Sequence, residues 1–285
     1  METTEAITCH LYNKDPIKRI KNELKKANLR KPIKVEDLLP FDQMHYLGTD
    51  AIDKAITSIS IEKNHLVLDI GCGFGGPARY LAKKVGCKVH GIELQKKIAD
   101  FACELNKQCN MQAKVEISQG DFLNFTTSKG YDRIISYLVF LHIQEKDKIW
   151  AQISACLGKK GRFYIEDFIS LRKLNSREES LLKSAVGAQG IQDLDSYLQG
   201  IKRQGLAITA CQDLSKLWMT WTKRRLEQYM DNLSAKTQLH GDEGAKHMLE
   251  FYQVVAKLFA DGAVGGIAVY GYKPLSHSNE NSLTI

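Results

Sequence analysis

Apolar and polar positions change their period along this chain, and the changes mark its elements. After Pro16, the residues Ile17, Ile20, Leu24 and Ala27 recur at helical spacing, which predicts a helix over 16–29. Pro32 and Pro40 bracket a short connection, and Ile52, Ala55 and Ile56 predict a helix over Thr49–Ser58. Short apolar runs then alternate with longer helical stripes. Strands are expected at Leu66–Ile70, Lys88–Ile92, Val115–Ser118, Arg133–Ser136 and Gly161–Glu166. Helices are expected at Pro77–Val85, Lys96–Gln108 and Lys146–Leu157. This alternation predicts an α/β fold, a parallel sheet with helices on both faces. The last third is mostly helical, over Arg177–Ser184, Asp193–Gln204, Leu214–Leu233 and Gly244–Phe259. A strand at Ala207–Ala210 interrupts it, and a strand at Gly265–Tyr272 is expected to close the sheet.

Charge sharpens this division. The 285 residues carry a formal net charge of +7. Between Lys14 and Lys34 nine basic residues face two acidic ones, so this segment holds the whole excess. A groove-lining basic surface of the nucleic-acid kind is therefore not expected. Residues 1–40 read as a basic helical lid, although a solvated face on a packed helix would give the same pattern. Residues 41–274 read as one domain with a helical insert over about 212–262. Residues 1–15 are expected to fray, and 275–285 to form a disordered polar tail. No apolar run approaches the roughly 18 residues of a membrane span, so no stable membrane insertion is expected. The acidic, polar Met1–Glu5 does not suit a secretory signal. Seven cysteines without a C-x-x-C pair suggest free thiols, a cytoplasmic location and no metal site.

The chemistry is concentrated where the first strand runs into glycines, in Leu66-Val-Leu-Asp-Ile-Gly-Cys-Gly-Phe-Gly-Gly76. Gly71, Gly73 and Gly75 allow close backbone approach to a ligand. With Gly76 the spacing also fits a dinucleotide turn. Asp69 decides between them, because a carboxylate there repels a pyrophosphate and attracts a cation. S-adenosylmethionine has a sulfonium, an ammonium and no phosphate. Glu93, at the end of the second strand, suits a ribose diol. Asp121 and Phe122, after the third strand, suit an adenine amino group and its ring. Asp132 begins the fourth strand, on the far side, and reads as structural.

Asp69–Gly75, Glu93, Asp121 and the Gly158-x-x-Gly-Arg turn resemble, in order and spacing, the class I S-adenosylmethionine-dependent methyltransferases. The resemblance implies a Rossmann-like seven-stranded sheet, S-adenosylmethionine as cofactor and a small-molecule acceptor, in a monomer or homodimer. A narrower resemblance, to small-amine N-methyltransferases of the sarcosine/dimethylglycine and phosphoethanolamine types, rests on Phe41-Asp-Gln-Met-His-Tyr-Leu-Gly48 and Leu141-His142-Ile143. It implies His142 as catalytic, with Tyr46 as its partner. It also implies donor contacts at Gln43, Tyr46, Leu94 and Leu138.

The phosphobase pattern is incomplete. Leu138 stands where those enzymes carry an acid, Asp167-Phe168 replaces Asp-Tyr, and Gly187–Gly190 lacks the Arg and Tyr that hold phosphate. A carboxylated or more apolar amine is therefore expected in place of phosphoethanolamine. His142, with an ordinary pKa near neutrality, is expected to deprotonate the amine, or else only to shape its loop. Loop packing is the competing reading for Gln43, His45 and Tyr46. Trp218, Trp221, Phe251 and Tyr252 read as core, and Arg224 and Arg225 as a solvated helix face. The rivals are a C- or O-methyltransferase on an apolar molecule or sterol, favoured by Leu138, Phe140 and Phe168, and a donor-binding fold without catalysis.

Overall fold

The computed structural model describes residues 16–275, and the expected frayed start and most of the polar tail lie outside the described residues. Three helices precede the sheet: α1 (Pro16–Ala27), α2 (Val35–Asp42) and α3 (Thr49–Ser58). The alternating part runs β1 (Leu66–Ile70), α4 (Gly76–Val85), β2 (Lys88–Glu93), α5 (Lys96–Gln108), β3 (Val115–Gln119), β4 (Tyr131–Tyr137), α6 (Lys146–Cys156) and β5 (Leu157–Ser170). There follow α7 (Ser176–Leu181), α8 (Leu194–Arg203) and β6 (Ala207–Asp213). The chain then forms α9 (Ser215–Asp231), α10 (Leu233–His240), α11 (Asp242–Ala260) and β7 (Val264–Tyr272).

The strand order is β3-β2-β1-β4-β5-β7-β6. The first five strands are parallel, as their alternation with helices dictates. β7 completes the seven-stranded sheet, as expected, but breaks its parallel pattern: it inserts between β5 and β6, antiparallel to both. Its Gly265, Gly266 and Gly271 explain the fit, since a Cβ on Gly266 would lie 2.0 Å from the Trp218 ring. Gly158 and Gly161 also differ from expectation: they lie inside β5, at an irregularity in its pairing with β4, and not in a turn before it.

One face of the sheet packs Ile52, Leu81, Trp218 and Phe259, from α3, α4, α9 and α11. The opposite face packs Trp150 and Ile153 of α6 and Ile201 of α8. Strand alternation decides where Asp69 points. Leu68 and Ile70 enter the α6/α8 layer, whereas Val67 enters the layer that holds Tyr46, Tyr137 and Trp218. Asp69 therefore faces the second of these, at the carboxyl ends of β1 and β4. The strand order reverses between those two strands, and ligands of open α/β sheets bind at such a point.

Two helical expectations are corrected. The stretch between Pro32 and Pro40 is not a plain connection: α2 occupies Val35–Asp42, with Pro40 inside its last turns and Leu38 fully buried. The helix over Leu214–Leu233 stops at Asp231, and a separate helix, α10, follows.

Candidate active site

The glycine turn is built by local sequence. Gly71 and Gly73 have φ of +66° and +53°, and a Cβ on Gly71 would meet Val139 at 2.4 Å. The Gly71 and Cys72 amides donate to the Ile92 carbonyl at 2.8 and 3.1 Å, which holds the turn against the end of β2. Glu93 spans the crevice. Its Oε2 accepts from the Gly73 amide at 3.1 Å, and its Oε1 accepts from the Gln95 amide at 3.0 Å. Burial raises the Glu93 pKa against the pull of these amides.

Asp69 is 2% exposed, and its Oδ2 has no hydrogen-bond partner. Burial, and then the charge of Glu93, push its pKa up to about 8. An ionised carboxylate without a partner is costly in this setting, and a cation placed beside it removes the cost. Residues that present a buried orphan acid, a glycine turn and a second acid fit the positively charged donor.

The segment after α2 forms the opposite wall. Asp42 anchors it through a fully buried ion pair, Oδ2 to Arg79 Nη2 at 2.8 Å. Arg79 also donates to Asn106 Oδ1 at 2.8 Å and to the Phe74 carbonyl of the glycine turn. Beyond this anchor, the Gln43 side-chain oxygen and both ring nitrogens of His45 are buried and unpartnered. The His45 ring packs edge-on to Tyr137 at 4.8 Å, and the Tyr137 hydroxyl is unpartnered too. Burial lowers the His45 pKa to about 4.

His142 ends a short 3-10 turn, Phe140–His142. Its Nδ1 lies 3.1 Å from the Gly187 carbonyl. A carbonyl only accepts, so Nδ1 carries the proton and Nε2 keeps its lone pair. Gly187 ends a π-turn, Leu182–Val186, with φ of +68°. Such turns recur at functional sites. Burial lowers the His142 pKa to about 4, which corrects the expectation of a base near neutrality. Beside it, Lys146 donates to the Phe140 carbonyl at 2.6 Å, and burial brings its pKa down to about 8. Asp167 accepts from the Leu141 and Phe168 amides, which fixes the turn.

A cavity of about 550 Å³ adjoins these residues, and Gln43, His45, Tyr46, Leu138 and His142 all line it. Leu138 adopts φ of +56°, in the left-handed region that β-carbon-bearing residues avoid, as it turns out of β4. Tyr46 sits in an aromatic cluster, with ring centroids 4.6 Å from Trp221, 5.0 Å from Trp218 and 6.0 Å from Phe168. Burial pushes the Tyr46 hydroxyl pKa well up, so it stays protonated.

Trp218 is core, as expected, but Trp221, Phe251 and Tyr252 line the cavity. Arg225 is exposed, as expected of a solvated face, and also lines the cavity. Phe122 is buried in the α6/α8 layer, and Asp121 uses both carboxylate oxygens locally, on the Leu123 amide and the Asn124 side chain. Leu94 is half-buried beside Glu93, its carbonyl accepting from Gln119. Asp132 accepts from the Leu66 amide at 2.8 Å, a structural role as expected. Among the described residues no cluster of three or more potential metal ligands occurs.

The methyltransferase domain family matches residues 61–230. The chain belongs to that family. It is similar to phosphoethanolamine N-methyltransferase 1 of Zea mays, with 25% identity over 190 residues, 65% of this chain and 36% of that protein. It is also similar to sterol 24-C-methyltransferase ERG6 of Saccharomyces cerevisiae, with 24% identity over 178 residues, 60% of this chain and 44% of that protein. The chain thus spans less than half of either relative. Among solved structures, phosphoethanolamine N-methyltransferase 2 of Haemonchus contortus, in complex with phosphomonomethylethanolamine and S-adenosylhomocysteine, superposes with a TM-score of 0.76. That match has 17% identity and covers 84% of this chain and 56% of the other. It shows a shared class I methyltransferase fold. No described helix is long and apolar enough to cross a membrane.

Proposed function

We propose that this protein transfers a methyl group from S-adenosylmethionine to the nitrogen of an amine held in the 550 Å³ cavity. The orphan carboxylate of Asp69 above the glycine turn carries the donor half of this reading. Asp69 faces the donor's positive charge, Glu93 receives its ribose, and Gln43 and Leu138 flank its methionine part. The donor supplies a methyl carbon activated by positive sulfur. The protein's task is then alignment and exclusion of water.

On the acceptor side the supporting feature is the aromatic wall of Tyr46, Trp221 and Phe168. Aromatic faces attract the ammonium that forms as nitrogen gains a methyl group. His142, neutral above a pKa of about 4, accepts an N–H through Nε2 and aims the lone pair. It is too weak a base to strip an ammonium in solution, so the amine must enter uncharged or lose its proton to bulk water.

Cavity size favours a second reading. At roughly 30 Å³ per water, 550 Å³ holds about eighteen waters, far more than a sarcosine-sized acceptor displaces. C- or O-methylation of a larger apolar molecule suits that volume. An acceptor screen with methyl-labelled donor, covering small amines, larger amines, phenols and sterols, separates the two. Label found only on carbon or oxygen would replace the amine reading.

A further inference from the structure

The outer half of the cavity differs from its inner half. Arg225, on α9, lies over two rings, 5.4 Å from the Trp221 centroid and 5.6 Å from that of Tyr252. Its Nε and Nη2 point to the Tyr252 hydroxyl at 3.4 Å, a long contact to a neutral oxygen. No described carboxylate pairs with it within salt-bridge distance. Across the cavity α1 brings Lys18 and Arg19, and Arg19 lies against Met248. Glu243 is the one acid among the lining residues. The cationic rim is held in place. Asn22 donates to the Leu239 carbonyl at 3.1 Å, and Glu23 joins Lys236 and His240 at 2.6 and 3.1 Å. Between rim and His142 the wall is apolar, with Trp221, Phe251, Val255, Val186 and Leu141.

We propose that the acceptor is an anionic amphiphile: a carboxylate or phosphate received by Arg225 and Arg19, on an apolar body that lies along Trp221 and Phe251. This rests on the cavity being the acceptor site. Trp221 touches both the Tyr46 ring and the Arg225 guanidinium, and so links the charged rim to the inner wall. With its Nε/Nη2 edge on the Tyr252 hydroxyl, the planar guanidinium over the aromatic faces has its Nη1/Nη2 edge left for a bidentate anion. The apolar stretch between would strand the charge of an acceptor as short as sarcosine, which has no atoms to fill it.

The test uses the full chain saturated with S-adenosylhomocysteine and a panel of eight- to twelve-carbon carboxylates, linear and aromatic, each beside its neutral amide. Isothermal calorimetry is expected to show at least one carboxylate binding about ten- to a hundredfold more tightly than its amide, the range of one charge-assisted hydrogen bond. Arg225→Gln should erase that preference while leaving the affinity for S-adenosylhomocysteine unchanged, and Arg19→Gln should weaken it. Sarcosine should show no comparable binding. If no carboxylate outcompetes its amide, or the preference survives in both variants, the anion subsite is wrong. Failure of S-adenosylhomocysteine itself to bind would instead overturn the donor reading beneath it.

Discussion

Glu93 offers the simplest test of the donor crevice. Two amides already satisfy part of its carboxylate, so Glu93→Ala removes both the proposed ribose contact and the tie that holds Gly73 to β2. Calorimetry should show donor affinity down about ten- to a hundredfold. His142→Ala should leave donor affinity intact and lower turnover about 10²-fold, the cost of an acceptor that is no longer aimed. Because burial holds His142 near a pKa of about 4, the pH–rate profile of the wild type should show no limb from this residue between pH 6 and 8. A neutral limb that vanishes in the mutant would contradict that assignment. The placement of Asp69 and Glu93 beside the glycine turn was legible in the sequence because glycine spacing and strand ends are local features. The low basicity of His142 was not, since it comes from burial and from Gly187, which only the fold brings to it. His45 was weighed there only against loop packing. Its ring packs on Tyr137, which only the fold brings to it from β4.

At the scale of elements, the pattern was legible in the alternating part, since β1 and α5 have the expected bounds, and α3 before it does too. It failed where tertiary contacts override local pattern. Pro40 suggested a break, yet α2 continues past it because Leu38 is fully buried and Asp42 is tied to Arg79. α10 has no buried residue and no apolar stripe to read, and its partners are α1, α9 and α11. The Asp42–Arg79 pair makes a prediction here. Arg79→Met leaves Asp42 buried without a counter-charge, which costs about 3–5 kcal/mol. Denaturant unfolding should show that loss. In the surviving folded fraction the lead-in segment with Gln43 and His45 should loosen, seen as faster amide exchange over 42–48. The α1 latch is weaker, because Glu23 and Lys236 are part-exposed. Glu23→Gln should cost no more than about 1 kcal/mol of stability, yet raise amide exchange across α1. It should also raise the acceptor KM more than the donor KM. Unchanged exchange in α1 would show that this contact does not hold the helix in place.

For the whole molecule, the buried titratable groups around the crevice share one tendency: each favours its neutral form. Burial raises Asp69, Glu166 and Asp167 to about 8, 7 and 6, and lowers His45 and His142 to about 4. The signs are opposite in their effect on stability. A histidine lowered in the folded state adds stability as pH rises from about 4 to its unfolded value near 6.5. A carboxyl raised in the folded state holds a proton that the unfolded chain has released, so stability falls as pH rises toward its folded pKa. Above pH 6.5 the histidines are neutral in both states, and Asp69 and Glu166 dominate. The free protein should therefore lose stability between pH 6.5 and 8. Donor binding reverses the Asp69 part alone, because a cation beside Oδ2 favours the ionised carboxylate, whereas Glu166 is engaged by Tyr164 at 2.6 Å. S-adenosylmethionine affinity should rise with pH up to about 8, approaching tenfold per unit for one released proton, and then level off. In thermal-shift measurements the gap in Tm between free and S-adenosylmethionine-saturated protein should widen over the same range. Asp69→Asn should flatten that widening, and should make the free protein more stable at pH 8 while weakening donor binding. A gap that stays constant with pH in the wild type, or one that still widens in Asp69→Asn, would show that the donor's charge lies against some other group.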